Sequence, residues 1–199
     1  AYTKSMSDFV ATSRNTDKVI IRASQMFPGK KILVLPDKFL GYVMKARAVA
    51  GGVDASLIDI YDHDHNAFHS ACHIHEKLGE VSVEVALDTY PGAELLIHPE
   101  CGCASSCLVK LEEGIIPRGS AYFLSTEQMV EHARASAATK FIVATEKGMV
   151  YRLRKEIPDK QFFPISVSAE CEFMKANTLT KLLHSLRDDV REIVICNDC

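Results

Sequence analysis

Lys31-Ile32-Leu33-Val34-Leu35-Pro36 is a short apolar run closed by Pro36-Asp37. Apolar residues at consecutive positions mark a strand buried on both faces, as in a parallel sheet covered by helices. A helix is expected to follow, from Phe39 to about Ala50. Three further runs have the same form: Ala93 to Pro99, Lys140 to Thr145 and Arg191 to Cys196, each preceded by a polar helix candidate. Strands alternating with helical stretches such as Glu127 to Ala138 and Thr178 to Arg187 predict an α/β fold of βα units around small parallel sheets. In such sheets a ligand sits beyond the carboxyl ends of the strands.

The composition agrees. The chain has 199 residues, 47% hydrophobic and 25% charged, with ten glycines and seven prolines. That length supports a substantial core as one large domain or two small ones, and neither disorder nor low complexity fits. The net charge of -3 comes without a basic block, so no nucleic-acid or anionic-membrane partner is expected. No apolar run approaches the roughly 18 residues of a spanning helix, and Ala1-Tyr2-Thr3-Lys4 lacks a signal-peptide core, so the expected compartment is the cytoplasm. Seven cysteines and eight histidines in a reducing compartment point to metal or redox chemistry before a disulfide framework.

An internal repeat organises the chain. Thr12-Ser13 opens a helix candidate, a strand ends at Pro36-Asp37-Lys38, a helix containing Gly41-Tyr42-Val43 follows, and Cys72 comes next. In the second half Ser125-Thr126 opens a helix, a strand ends at Thr145-Glu146-Lys147, a helix containing Gly148-Met149-Val150-Tyr151 follows, and then Cys171. The expectation is two related αβα domains, residues 1–89 and 90–199, placing equivalent hydroxyls and cysteines about a shared axis.

The chemistry-bearing residues fall at these positions. Ser and Thr are preferred N-caps, each contributing about 0.5–2 kcal/mol without any ligand. A hydroxyl pair beside free helix N–H groups also suits a carboxylate or phosphate. His98-Pro99-Glu100 follows a buried strand, where an imidazole and a carboxylate can share one substrate. Cys72-His73-Ile74-His75 lies in the most histidine-rich stretch and supplies ligand types for zinc or iron, as a partial constellation. Cys101, Cys103 and Cys107, with Cys196 and Cys199, form Cys-x-Cys-x3-Cys and Cys-x2-Cys patterns whose spacings do not reproduce paired zinc knuckles.

Taken together, Pro36-Asp37-Lys38-x-Leu40-Gly41-x-Val43, Cys72-x-x-His75-Glu76, His98-Pro99-Glu100-Cys101, Ser125-Thr126-x-x-Met129, Thr145-Glu146-x-Gly148-Met149 and Cys171-x-x-Met174-Lys175-x-Asn177-Thr178-Leu179 resemble the quinolinate synthase family, in order and over nearly the whole chain. The resemblance implies three related αβα domains about a pseudo-threefold axis, of which this chain matches the second and third. It implies a 4Fe-4S cluster at the centre, with Cys72 and Cys171 as two of its ligands and an open iron acting as a Lewis acid. It also implies condensation of iminosuccinate with dihydroxyacetone phosphate to quinolinate for NAD synthesis, a transferase and dehydratase reaction. His75, His98 and Glu100 match positions that line the family's site, as do Thr12, Ser13, Ser125 and Thr126. The roles expected are Glu100 as proton acceptor, His98 and His75 as hydrogen-bond donors or proton shuttles, and the four hydroxyls as carboxylate and phosphate binders.

The family's first domain and its cysteine have no counterpart in these 199 residues, so the third cluster ligand is expected from a separate segment, a partner chain or self-association. The family's closing helix after Ile195 is likewise absent. The alternatives are a truncated, non-catalytic paralogue and a zinc-binding structural module using the additional cysteines.

Overall fold

The computed structural model describes residues 2–62 and 80–192. It divides into two units, one of residues 11–170 and one of residues 1–10 with 171–199.

The larger unit holds every strand described. It begins with α1 (Thr16–Met26), β1 (Ile32–Val34), α2 (Lys38–Ala50), a 3-10 turn (Ala55–Leu57) and β2 (Ile58–Ile60), and resumes with α3 (Glu80–Thr89). Then follow β3 (Glu94–Ile97), α4 (Ala104–Glu112), β4 (Ala121–Phe123), α5 (Thr126–Ala135), β5 (Lys140–Ala144), α6 (Gly148–Glu156) and β6 (Gln161–Pro164). β1 and β2 pair in parallel, Ile32 with Ile58 and Val34 with Ile60. The other four strands form an all-parallel sheet in the order β4-β3-β5-β6. This is the α/β fold with small parallel sheets that the sequence predicts.

The side-chain alternation of a strand divides the core between the sheet's faces. Leu95, Ile97, Ala121, Phe123, Ile142 and Ala144 point to one face, where they join Val43, Met44 and Ala48 of α2, Ala86 of α3 and Cys107 of α4. Leu96, Phe141, Val143 and Phe162 point to the other, under Met129, Val130 and Ala133 of α5 and Val150 and Leu153 of α6. Leu95, Leu96 and Ile97 are all fully buried, which is why the run reads as continuously apolar. Each such side chain contributes about 1.5–3 kcal/mol of burial.

The chain steps from β3 to β4 on one side and returns to lay β5 on the other, so the order reverses between β3 and β5. In open α/β sheets a ligand crevice forms at that reversal, outside the carboxyl ends. His98, Leu124, Thr145 and Ile165 are the residues that follow β3, β4, β5 and β6.

Some expectations shift. The helix predicted to open at Thr12-Ser13 runs from Thr16, because a turn closes first: Asn15 and Thr16 both donate their N–H groups to the Thr12 carbonyl, at 3.0 and 3.1 Å. β2, β4 and β6 were not predicted. They match β1 and β3 in length, but Asp59 and Tyr122 break the apolar run in β2 and β4, and Pro164 closes β6 after two apolar residues. Of the strand expected from Arg191 to Cys196, residues 191 and 192 have no strand pairing and the rest lies outside the described residues.

In the smaller unit, α7 (Tyr2–Ser5), α8 (Glu172–Lys175) and α9 (Leu179–Asp188) are the described elements. α9 starts where the sequence places it, with Thr178 capping the Lys181 N–H at 3.2 Å. Among the described residues no helix is long and apolar enough to cross a membrane.

Candidate functional site

Within the larger unit the two hydroxyl pairs, Thr12-Ser13 and Ser125-Thr126, share a pattern of hydrogen bonds. Ser125, the buried N-cap of α5, donates both its N–H (3.0 Å) and its hydroxyl (2.9 Å) to the side-chain oxygen of Gln128. Thr12 donates its N–H (2.8 Å) and its hydroxyl (3.0 Å) to the side-chain oxygen of Asn15. Each bracket spans three residues, and each is followed by an N–H bond back to the bracketing carbonyl, Met129 to Ser125 at 2.9 Å and Thr16 to Thr12 at 3.1 Å. Carboxylates repeat as well. Asp37, beyond β1, accepts the Leu40 N–H at 2.8 Å, and Glu146, beyond β5, accepts the Gly148 N–H at 2.7 Å. The lysine that follows each one pairs with an acid beyond the next strand, Lys38 with Asp62 at 3.4 Å and Lys147 with Glu170. Hence α1-β1-α2-β2 and α5-β5-α6-β6 share one plan.

The functional side chains gather along the carboxyl edge of the four-stranded sheet. His98 continues the ladder, its N–H donating to the Ala144 carbonyl at 3.0 Å, so its backbone is fixed against β5. On the other side the Leu124 N–H donates to the Ile97 carbonyl at 2.8 Å, bringing Ser125 beside it. Thr145 and Glu146, both buried, follow on β5. The His98 side chain is 8% exposed, enough burial to hold one orientation. Its Nδ1 lies 3.4 Å from the Glu100 N–H and 3.9 Å from Glu100 Oε2. A neutral ring accepting at Nδ1 has its proton on Nε2. A protonated ring instead makes an ion pair with Glu100. Glu100 is half-buried and so reachable from solvent.

Thr126 is exposed at the first position of α5, and Glu127 beside it is neutralised by Arg152 at 2.9 Å. The N-terminus of α5 is therefore left electropositive by the first-turn N–H groups that the Ser125–Gln128 capping box does not engage. The Thr12-Ser13 segment reaches the same helix through Arg14, whose guanidinium lies 2.9 Å from Glu131. Both partners are about half exposed, and the pair marks proximity more than stability. Sequence reasoning did not single out Arg47 as a site residue. From α2 its Nη2 donates to the Phe123 carbonyl at 2.5 Å, pinning the end of β4 two residues before Ser125. Neither did it give Thr145 and Glu146 site roles, although their place after a buried strand marked them.

His75 and Cys72 lie outside the described residues, as do Cys196 and Cys199. Cys171, the N-cap of α8 in the smaller unit, is a buried thiol. Cys101, Cys103 and Cys107 are buried thiols in the larger unit. The Cys103 thiol is pushed far up from its usual range by hydrogen bonding to Cys101, then to Cys107, and by burial. Among the described residues no three His, Cys, Asp or Glu side chains are arranged to hold a metal ion.

The family model described as quinolinate synthetase A protein matches residues 1–199. This chain belongs to that family. It is 38% identical over 200 residues to a quinolinate synthase of Pyrobaculum aerophilum, matching the whole of this chain and 58% of the relative. It is 40% identical over 194 residues to a quinolinate synthase of Thermus thermophilus, covering 98% and 55%, and 32% identical over 193 residues to a quinolinate synthase of Mycobacterium tuberculosis, covering 97% and 51%. The chain thus spans a little over half the length of the curated relatives it matches. The family resemblance read from the six motifs is thereby established, and it extends over the full chain.

Proposed function

We propose that this chain is a quinolinate synthase or part of one, serving NAD biosynthesis by condensing iminosuccinate with dihydroxyacetone phosphate. The reaction releases two waters and one phosphate per quinolinate, so it needs a base for a carbon-bound proton, an acid for departing hydroxyls, and anion binders for two carboxylates and a phosphate. The observation that supports this reading is the convergence of His98, Glu100 and Ser125 at one strand edge, within a chain matched throughout by the family.

Glu100 accepts the substrate proton, being half-buried and backed by His98. His98, whose Nδ1 faces Glu100, serves as hydrogen-bond donor or proton shuttle, and in its charged form it stabilises the carboxylate. Ser125 and Thr12 have both hydrogens committed to Gln128 and Asn15, so they shape their turns. The anion contacts fall to the Thr126 and Ser13 hydroxyls and to the first-turn N–H groups of α5. His75 joins His98 as a second donor. The two related domains are residues 1–89 and 90–199. The rest of a synthase comes from a further segment, a partner chain or a second copy, and the compartment is the cytoplasm.

The 4Fe-4S cluster implied by the family would take Cys72 and Cys171. Cys171, a buried thiol, is a suitable soft donor, but the described residues do not assemble a ligand set, so no step here is routed through the cluster.

The test is quinolinate formation from dihydroxyacetone phosphate and freshly generated iminosuccinate by the anaerobically reconstituted protein, followed by mass spectrometry. Glu100→Gln should lower turnover about 100-fold or more with an unchanged circular dichroism spectrum. Thr126→Val should weaken dihydroxyacetone phosphate binding, measured separately by calorimetry. Full turnover in Glu100→Gln would overturn the assignment of the base.

A further inference from the structure

We propose that Cys101 and Cys103 are a redox pair that closes reversibly to a disulfide, with Cys107 left as a thiol beside it. Their sulfurs lie 2.7 Å apart as thiols, so forming a bond of about 2.05 Å requires them to close by only about 0.6 Å. The backbone holds them there from both sides. The Cys101 N–H donates to the His98 carbonyl at 2.8 Å and the Ala104 N–H to the Cys101 carbonyl at 2.9 Å, forming a turn around the pair with Gly102 at its centre. The Cys107 N–H donates to the Cys103 carbonyl at 2.9 Å, fixing Cys103 at the start of α4.

Burial selects which form is favoured. Cys101 and Cys103 are fully buried and Cys107 is 2% exposed. A thiolate in that position is costly, and the crowding of three sulfurs holds Cys103 protonated. A disulfide has no charge and no proton to place, so closing the pair removes two weak donors from an apolar site. The rate of closing is then limited by local opening of the turn, since exchange requires a thiolate in contact with the oxidant.

The oxidant is a small-molecule disulfide. Cys101, deprotonated on opening, attacks one of its sulfurs and expels one small thiolate. Cys103 then attacks the Cys101 sulfur of the mixed disulfide and expels the second. Two protein S–H bonds and one small S–S bond become one protein S–S bond and two small thiols, a two-electron exchange. Glu100 directly precedes Cys101, so the pair sits next to the carboxylate described above. The inference stands whether or not the chain has the activity proposed for it.

The full chain is equilibrated in buffers of glutathione and glutathione disulfide, quenched with acid, unfolded, alkylated and mapped by peptide mass spectrometry. The expected product has Cys101 joined to Cys103 and Cys107 alkylated. The equilibrium constant should exceed that of the same chain in denaturant by about tenfold or more, equivalent to about 30 mV. Cys107→Ala should retain the bond and Cys103→Ser should abolish it. Alkylation of both cysteines at every ratio, no gain over the denatured chain, or a Cys103–Cys107 bond would each overturn the proposal. The comparison of native with denatured chain needs no variant to fold.

Discussion

Replacing Gln128 with Ala tests whether the hydroxyl bracket at α5 is held by the amide. One oxygen accepts two donors there, the Ser125 N–H at 3.0 Å and the Ser125 hydroxyl at 2.9 Å. Ser125 is buried while Gln128 is partly exposed, so water replaces the lost acceptor only incompletely. An ordinary hydrogen bond contributes about 0.5–1.5 kcal/mol net, and losing a helix cap costs about 0.5–2 kcal/mol. The expected loss is about 1–2 kcal/mol, lowering Tm by about 2–8 °C for a chain of this size. The cognate change Asn15→Ala removes the same two bonds from Thr12, but there both residues are exposed and water restores them. Its cost should stay below about 0.5 kcal/mol, as for surface changes generally. Urea unfolding of both variants, with unchanged m values, measures the difference. Gln128→Glu restores an acceptor near the positive end of α5 and should recover most of the loss. Equal costs for Gln128→Ala and Asn15→Ala, or a neutral Gln128→Ala, would refute the reasoning.

Leu96→Ala, at a fully buried position on the face under α5 and α6, should cost about 2–5 kcal/mol in the same urea assay. Lys160→Met removes an ammonium that donates to the carbonyls of Ala133 and Ser136 at 2.7 and 2.6 Å, at the end of α5, and should cost about 1–2 kcal/mol. Glu156 has its pKa lowered chiefly by the hydrogen bond from Arg152. A depressed folded-state pKa gives stability that is present above the unfolded value and lost as pH falls through the folded one. The stability gap between the wild type and Glu156→Gln should therefore shrink to nothing in acid below the ordinary glutamate range, and a gap that widens there would contradict it.

The sequence reading was strongest where the physics is local and repeated. Runs such as Phe141-Ile142-Val143-Ala144 are apolar at every position because both faces of β5 are covered, and they were legible as buried strands. Ala121-Tyr122-Phe123 has the same role on β4, but the Tyr122 phenol at its middle position interrupts the apolar run. α1 begins a few residues later than the sequence predicts because Thr12 and Ser13 have the chemistry of caps while the turn they initiate closes before the helix. At the site, His98 and Glu100 were legible from their position after a buried run. Arg47 was not, since its bond to the Phe123 carbonyl depends on how α2 packs beside β4, which no local pattern encodes.

The two brackets constrain what the site can bind. A hydroxyl that donates inward to an amide oxygen has no hydrogen left for a ligand, and its outward lone pairs repel an anion. If Ser125 and Thr12 met a carboxylate directly, each would have to give up its bond to Gln128 or Asn15 and leave that amide oxygen without its donor. For Ser125, buried and paired twice, that exchange gains nothing over using the donors already exposed. The Thr126 hydroxyl is exposed at the first position of α5 beside the first-turn N–H groups outside the capping box, and Arg152 offsets the charge of Glu127 that would oppose an anion there. Anion binding at this edge should therefore depend on the geometry of the bracket more than on its hydroxyl. Ser125→Ala, which keeps the N–H bond to Gln128, should retain most phosphate affinity, whereas Gln128→Ala, which releases the turn, should lose more of it. Calorimetric titration of the two variants with dihydroxyacetone phosphate decides the matter, and a larger loss in Ser125→Ala would assign the contact to the hydroxyl itself.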